Sequence, residues 1–236
     1  MPLEVSTDPV YPEAAIRFFR NKIGVTEDEW DALEEQNHDL SFKLAGIADI
    51  DVVDDVYSAI DDAITNGTTL EEFKTKVWGE LENAWGGEVV NPGWRIETIF
   101  RTNLQSSYQA GHYQQAQENK EDRPYAMLDV VEDGRTSDIC ADLDEEIGGR
   151  AIPLDDPIWS RAWPPNHFNC RSSVITMDEQ EAIAEGFLED SPDPPSADEL
   201  DIDEDFDHAP GDSLDEGLPD PEEYPEDLQE DVERFL

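Results

Sequence analysis

The chain has 236 residues, enough for one or two domains, and carries 60 acidic against 15 basic residues for a formal net charge of −45. The excess is spread along its length: residues 181–236 hold 23 acidic residues and one basic residue, and residues 1–180 hold 37 and 14. A surface this acidic repels a phosphate backbone, so direct DNA binding through an open face is disfavoured, and no apolar run approaches the length of a membrane span. The start, Met1-Pro-Leu-Glu-Val-Ser-Thr-Asp8, has neither the cationic nor the apolar region of a secretory leader. Two cysteines in such a chain read as reduced thiols or metal ligands before they read as a disulfide. Scarce lysine and abundant carboxylate fit a high-salt cytoplasm, where screening shortens to a few ångströms; an acidic interaction protein would have the same composition.

Residues 1–92 read as a helical N-terminal region. Pro12-Glu-Ala-Ala-Ile16 starts a short helix with Ile16, Phe19 and Ile23 three to four residues apart. Thr26-Glu-Asp-Glu29 has the form of a capping box leading into Trp30 and Leu33. From Asp51 to Asn66, Val52, Val56, Ile60 and Ile64 form an apolar stripe at helical spacing, and Gly67 ends the helix where a left-handed residue is needed. Thr68 or Thr69 caps the next helix, whose stripe is Phe73, Val77, Leu81 and Trp85. Gly86-Gly87 and Asn91-Pro-Gly93 then break the chain.

Residues 93–178 read as a long helix followed by a small, loop-rich mixed α/β domain. The helix opens at Trp94 and places Ile96, Phe100, Leu104 and Tyr108 four apart. Its other side carries Arg101, Asn103, Gln105, Gln109, Gln114 and Gln115, read as a solvated face or, alternatively, as a face packed on polar partners. Ala126–Val131 is a strand candidate, Asp133-Gly134 a turn, and Ala151–Leu154 a second short strand. Pro153, Pro157, Pro164 and Pro165 make the remainder loop-like. The fold class that follows is α+β. Residues 179–236 read as an acidic, Pro-rich tail, beginning with the end of a helix over Glu181–Gly186 and otherwise largely disordered, because it has too few large apolar residues to offset chain entropy. At its end Leu228, Val232, Phe235 and Leu236 sit at helical spacing, either a solvated end or a short segment that folds on a partner.

The residues with chemistry to offer are Cys140, His167 and Cys170. His167-x-x-Cys170 fits one small loop, and two thiolates with an imidazole suit structural zinc. Asp133, Asp138, Asp142 and His112 are candidates for a fourth ligand. A Cys140–Cys170 disulfide and a pair of ordinary thiols are the alternatives. A cysteine nucleophile using His167 as base is a further reading, though no third orienting group is marked. With 60 acidic residues, paired carboxylates signal nothing, and phosphate-loop, dinucleotide and zinc-protease motifs are absent. Arg135 and Arg171, scarce cations beside the candidate ligands, suit a role as clamps between loops or, alternatively, as binders of a substrate or phosphate.

Four pieces in fixed order carry a family resemblance: Trp94-Arg-Ile-Glu-Thr-Ile-Phe-Arg-Thr-Asn103 with Tyr108-Gln-Ala-Gly111, then Asp133-Gly-Arg-Thr136, then Asp155-Asp-Pro-Ile-Trp159, then Pro164-Pro-Asn-His-Phe-Asn-Cys-Arg171. The chain resembles the phage head morphogenesis proteins typified by the F protein of phage Mu, over about residues 10–178. The family often has His where Cys140 stands and Cys where Ser172 stands, so His167 would replace the donor missing at 172. The resemblance implies a minor head protein of a tailed virus. Such a protein contacts the portal protein or the major capsid protein, acts in head assembly or DNA delivery, and resides in the virion after assembly in the host cytoplasm. It implies no enzymatic turnover. The alternative is a zinc- or thiol-dependent effector enzyme, a nuclease or transferase built on Cys140, His167 and Cys170.

Overall fold

Helix α1 (Glu13–Arg20) buries Ala15, Phe18 and Phe19 and feeds strand β1 (Ile23–Gly24), which pairs in parallel with β2 (Ser41–Phe42). The structure is a computed structural model and describes residues 13–26, 41–87, 89–188 and 194–212. The capping box at Thr26–Glu29, with Trp30 and Leu33, reaches outside the described residues. So do Leu228, Val232, Phe235 and Leu236.

Helix α2 (Ile50–Asn66) begins where the Asp49 carboxylate accepts from the Asp51 N–H, and ends at Gly67, whose φ of 72° lets its N–H return to the Ala63 carbonyl. Helix α3 (Leu70–Ala84) follows at once. Of the two threonines, Thr69 is the cap: its hydroxyl accepts from Glu72 N–H while the Glu72 carboxylate takes the Thr69 N–H. The facing stripes bury Val53, Val56, Ile60 and Ile64 against Phe73, Val77, Leu81 and Trp85. Phe19, Phe42, Leu44 and Ile47 complete this first core, where the Phe19 ring stacks on Tyr57 at 4.7 Å.

Helix α4 (Pro92–Glu118) has 27 residues, about 40 Å at 1.5 Å per residue. Asn91 sits at a φ of 61° and caps the Trp94 N–H, with Pro92 at the first helical position. The helix serves two cores. Ile96 and Phe100 belong to the first, while Ala116 and Tyr113 pack into the second. The expected stripe breaks midway, leaving Tyr108 44% exposed while Ser107, Gln109 and Ala110 are buried instead. The reason is that α1 crosses here: a Cβ on Gly111 would stand 3.1 Å from the Ala15 nitrogen and 3.3 Å from the Ala14 Cβ. The amide side is correspondingly less solvated than its composition indicates. Arg17 donates to Gln114 at 2.6 Å and Gln109 is buried, while Arg101 and Gln115 face water.

The second core lies under an antiparallel sheet of order β4-β3-β5, made of β3 (Tyr125–Asp129), β4 (Ile152–Pro153) and β5 (Ser173–Met177), with Leu128 opposite Val174 and Ala126 opposite both Ile152 and Thr176. Between β3 and β4 runs α5 (Asp138–Ile147), which the sequence reading left unassigned, as it did β5. A four-residue helix, α6 (Trp159–Ala162), interrupts the proline-rich stretch. Trp159, Trp163, Leu143, Ile147, Ile152 and Ile158 are each 2% exposed or less. Helix α7 (Glu179–Ala184) is capped by Asp178 and Glu181.

The fold is therefore α+β, as expected, and part of the acidic C-terminal region packs against it. Residues 194–212, read as tail, lie as a strap over the second core. Leu200, Phe206 and Ala209 are 4%, 7% and 1% exposed. Arg161 donates to the Asp207 carboxylate and to the Ala197 carbonyl, Ala209 N–H bonds Ser160 O at 2.7 Å, and Tyr113 donates to Asp212 at 2.9 Å. Sparse apolar residues suffice because each meets a prepared surface: at Gly211, φ 88°, the strap comes so close to α4 that a Cβ would stand 3.0 Å from the Ala110 Cβ. Among the described residues no helix is long and apolar enough to cross a membrane.

Candidate metal centre

Two elements meet to form the site. Ser137 caps α5, its hydroxyl accepting from the Cys140 N–H at 3.1 Å, which fixes Cys140 in the first turn. The loop from Pro164 to Ser172 brings His167 and Cys170. That loop is pinned to α4: Asn169, at a φ of 61°, donates from Nδ2 to Thr98 Oγ1 at 3.0 Å, and Gln105 Nε2 donates to the Ser172 carbonyl at 2.8 Å. A backbone bond from Cys170 N–H to His167 O, 3.1 Å, closes the turn between the two ligands. The helix that crosses both cores thus also positions the cysteine loop.

Cys140 Sγ lies 3.0 Å from His167 Nε2 and 3.8 Å from Cys170 Sγ, and the three donor atoms all lie within 4.8 Å of one another. Both cysteines are free and buried. A sulfur separation of 3.8 Å is far from a disulfide bond of about 2.05 Å. It is instead the edge expected of two thiolates each about 2.3 Å from a tetrahedral zinc, roughly 3.8 Å. His167 Nδ1 lies 2.8 Å from the Phe168 carbonyl, so a proton on Nδ1 satisfies that oxygen and leaves the Nε2 lone pair directed at the sulfurs, the tautomer a metal requires. Ser137 Oγ is 2.8 Å from the same Nε2.

The electrostatics favour one thiolate. The Cys170 thiol, hydrogen-bonded to Cys140, is the leading cause that holds the Cys140 pKa down, and the same bond drives Cys170 up. Burial depresses His167, but its bonds to Cys140 and to the Phe168 carbonyl, with the charge on Cys140, outweigh burial and raise it. Metal-free, the shifts favour negative charge on Cys140 over Cys170; a dication would hold both as thiolates with a neutral imidazole.

Of the candidates for a fourth ligand, Asp133 is engaged elsewhere: Arg171 grips it with both terminal nitrogens, at 2.7 and 2.8 Å, and that fork holds its carboxyl well below the usual range. His112 packs edge-on against Trp163, ring centres 5.5 Å apart. Among the described residues Asp133, Asp138, Asp142 and His112 do not join the converging group. Arg135 differs from Arg171: it is 79% exposed and stands 3.7 Å from Asp133, its backbone N–H closing the Asp133 turn at 2.8 Å. Sequence reasoning missed Ser172, whose Oγ is 3.2 Å from Cys140 Sγ, and the supporting Ser137, Asn169 and Gln105. Ser137 carried a usable signal, a serine just ahead of an unassigned helix. Gln105 carried none beyond its place on the amide face. A dent of about 10 Å³ lies beside the cluster, lined in part by Arg135, Thr136, Ser137 and Asn169, at the lower limit for one water.

Residues 54–175 match the family model described as phage Mu protein F like protein. The Mu-like prophage FluMu F protein of Haemophilus influenzae is 32% identical over 167 residues, covering 66% of this chain and 39% of that protein. The putative capsid assembly protein F of Escherichia phage Mu is 28% identical over 182 residues, covering 70% of this chain and 40% of the phage protein. The chain spans about two-fifths of the length of these relatives. No solved structure matches it.

Proposed function

The chain belongs to the phage Mu protein F like family, and from that premise we propose that it is a head-assembly protein of a tailed virus whose role is to bind other head subunits. The observation that carries this reading is the family match across residues 54–175, which takes in α4 and every residue of the metal cluster. Both the first core and the cysteine loop hang on α4, an arrangement that transmits a rigid shape to a partner. In this reading the contacts are with the portal protein or the inner face of the major capsid protein, and the protein is carried in the virion after assembly in the host cytoplasm. Its part is head assembly, DNA delivery or both.

Zinc held by Cys140, His167 and Cys170 would brace the knob formed by residues 125–177. The donor spacing and the tautomer support it, and Arg171 on Asp133 would act beside it as a clamp between loops. Arg135 would serve the turn at Asp133. The acidic chain beyond residue 212, with Leu228, Val232, Phe235 and Leu236, is proposed to meet basic patches on head subunits. The net charge argues against binding DNA through an open surface.

The effector-enzyme reading has one observation in its favour, a cysteine in the first turn of a helix beside a histidine. The dent beside that pair has no room for a substrate, which weighs for a bracing role. The test is mass spectrometry of purified particles, counting this chain against the portal in wild type and in a deletion of 213–236. A fixed low ratio in wild type, reduced in the deletion, is expected. Absence from particles would overturn the head-protein reading; an unchanged ratio in the deletion would remove the role given to that segment.

A further inference from the structure

We infer that Ser172 Oγ is the fourth donor of the metal centre and closes it as a tetrahedron of two thiolates, one imidazole and one hydroxyl. The inference rests on the zinc reading above and supplies the ligand which that reading lacks.

Three atoms surround Cys140 Sγ: His167 Nε2 at 3.0 Å, Ser172 Oγ at 3.2 Å and Cys170 Sγ at 3.8 Å. A zinc tetrahedron with Zn–S of about 2.3 Å and Zn–N or Zn–O of about 2.0–2.1 Å has mixed edges of roughly 3.5 Å and a sulfur–sulfur edge of roughly 3.8 Å. Modest opening of the two short contacts accepts the ion. Ser172 is 1% exposed, and Gln105 fixes its backbone through the carbonyl at 2.8 Å, so its hydroxyl is committed to the cluster rather than to solvent. The neighbouring dent of about 10 Å³ is at the lower limit for one water, whereas the hydroxyl already stands 3.2 Å from Cys140 Sγ.

Charge favours a neutral donor at that corner. Two thiolates balance the dication, and a hydroxyl and a neutral imidazole add nothing, so the centre is neutral. A third thiolate would leave a net negative charge buried in a chain already at −45, which costs free energy both by desolvation and by repulsion. The compensation is weaker binding, because a hydroxyl oxygen is a poorer partner for zinc than a thiolate. Ser172 therefore sets the affinity of the site and makes it the fold's removable brace.

The experiment is a titration of the full chain with Co²⁺ alone, followed by thiolate-to-metal charge transfer and by the ligand-field bands, with displacement by Zn²⁺. Wild type is expected to bind one four-coordinate Co²⁺ through two thiolates and to ignore added imidazole. Ser172→Ala should lose at least the roughly 10-fold in affinity that even an outer-shell partner is worth and let imidazole into the vacated corner, shifting the ligand-field bands. Ser172→Cys should raise the charge-transfer intensity by about half, as a third thiolate joins two, and bind more tightly. Ser172→Ala binding like wild type and blind to imidazole, or Ser172→Cys with no third thiolate signal, would overturn the assignment of Ser172. A wild-type chain that binds no Co²⁺ would overturn the metal reading itself. Thermal melts of the metal-free variants check that both substitutions leave the fold intact.

Discussion

Ending the chain at Leu188 instead of Asp212 removes the strap and nothing else that is described. The gain lost is bounded by the structure. Leu200 and Phe206 are 4% and 7% exposed, and fully burying such side chains is worth about 1.5–3 kcal/mol each, so they give the strap's main apolar contribution, about 3–6 kcal/mol, before the smaller share of Ala209 is added and the ordering cost is subtracted. Arg161, whose side chain is 21% exposed, also loses the Asp207 carboxylate and the Ala197 carbonyl, and the surface of Ala110 beneath Gly211 is uncovered. For a domain of this size each kcal/mol moves the midpoint about 2–4 °C, so a fall of several degrees is expected, with a ceiling of about 20 °C. The assay is thermal unfolding by circular dichroism, with the chain ending at Asp212 as the reference. Single Leu200→Ala and Phe206→Ala changes should each lower the midpoint, and the pair should cost no more than the truncation, because a strap already released has nothing further to lose. Midpoints within about 1 °C for the two truncations, or a double substitution worse than removing the strap, would show that residues 194–212 contribute nothing by docking.

Gly111→Val should destabilise by about 1–3 kcal/mol or more, because its branches would press on the Ala15 nitrogen, 3.1 Å from the Cβ position; urea unfolding that matches wild type would refute the close crossing of α1 and α4. The Asp133–Arg171 pair has a defined pH signature. The folded Asp133 pKa is depressed, so the pair's contribution is present above the unfolded value near 3.9 and fades as pH falls below it; the stability gap between wild type and Asp133→Asn should be constant from pH 5 to 8 and shrink toward pH 3, and a gap that widens on acidification would be the wrong sign. Chelating metal should lower the midpoint of wild type but leave a His167→Ala, Cys170→Ala double variant unmoved, as followed by calorimetry in the presence and absence of a chelator. A high-salt origin predicts loss of structure on dilution from molar salt to about 0.1 M, where screening reaches roughly 10 Å; full retention of the circular dichroism signal would exclude it.

The helical part of the fold was legible because periodicity and caps agree there. Gly67, the Thr69–Glu72 box and the Phe73–Val77–Leu81 stripe each fix a boundary or a face locally, and such signals survive without tertiary context. The second half was less so. Strand β5, Ser-Val-Ile-Thr-Met, buries Val174 and Met177, three residues apart, so it breaks the alternation by which half-buried strands are recognised. Helix α5 lies in an acidic run that masks the periodicity of Cys140, Leu143 and Ile147. The strap was missed for a related reason: composition averages over residues, whereas docking depends on three of them landing on prepared surfaces. At the metal centre, His167-x-x-Cys170 could be read from spacing. Ser172 could not, because a hydroxyl counts as a donor only once geometry places it beside Cys140.

How a chain at −45 spends its few cations bears on what it can bind. Lys74 takes Glu97 and ties α3 to α4. Arg20 forks onto Asp61 and ties α1 to α2. Arg123 reaches the Thr176 carbonyl and Glu181, Arg161 holds the strap, and Arg171 holds the Asp133 turn. These cations join elements within the fold, where short, partly shielded contacts are less screened than long-range repulsion between surface carboxylates. A dication among Cys140, His167 and Cys170 would extend the same pairing of scarce positive charge with buried anions to the cysteine cluster. The outward surface is then left acidic, and an acidic surface gains most from partners with basic patches while it repels phosphate backbones. For a member of the phage Mu protein F like family, that charge is consistent with the proposed contacts on other head subunits.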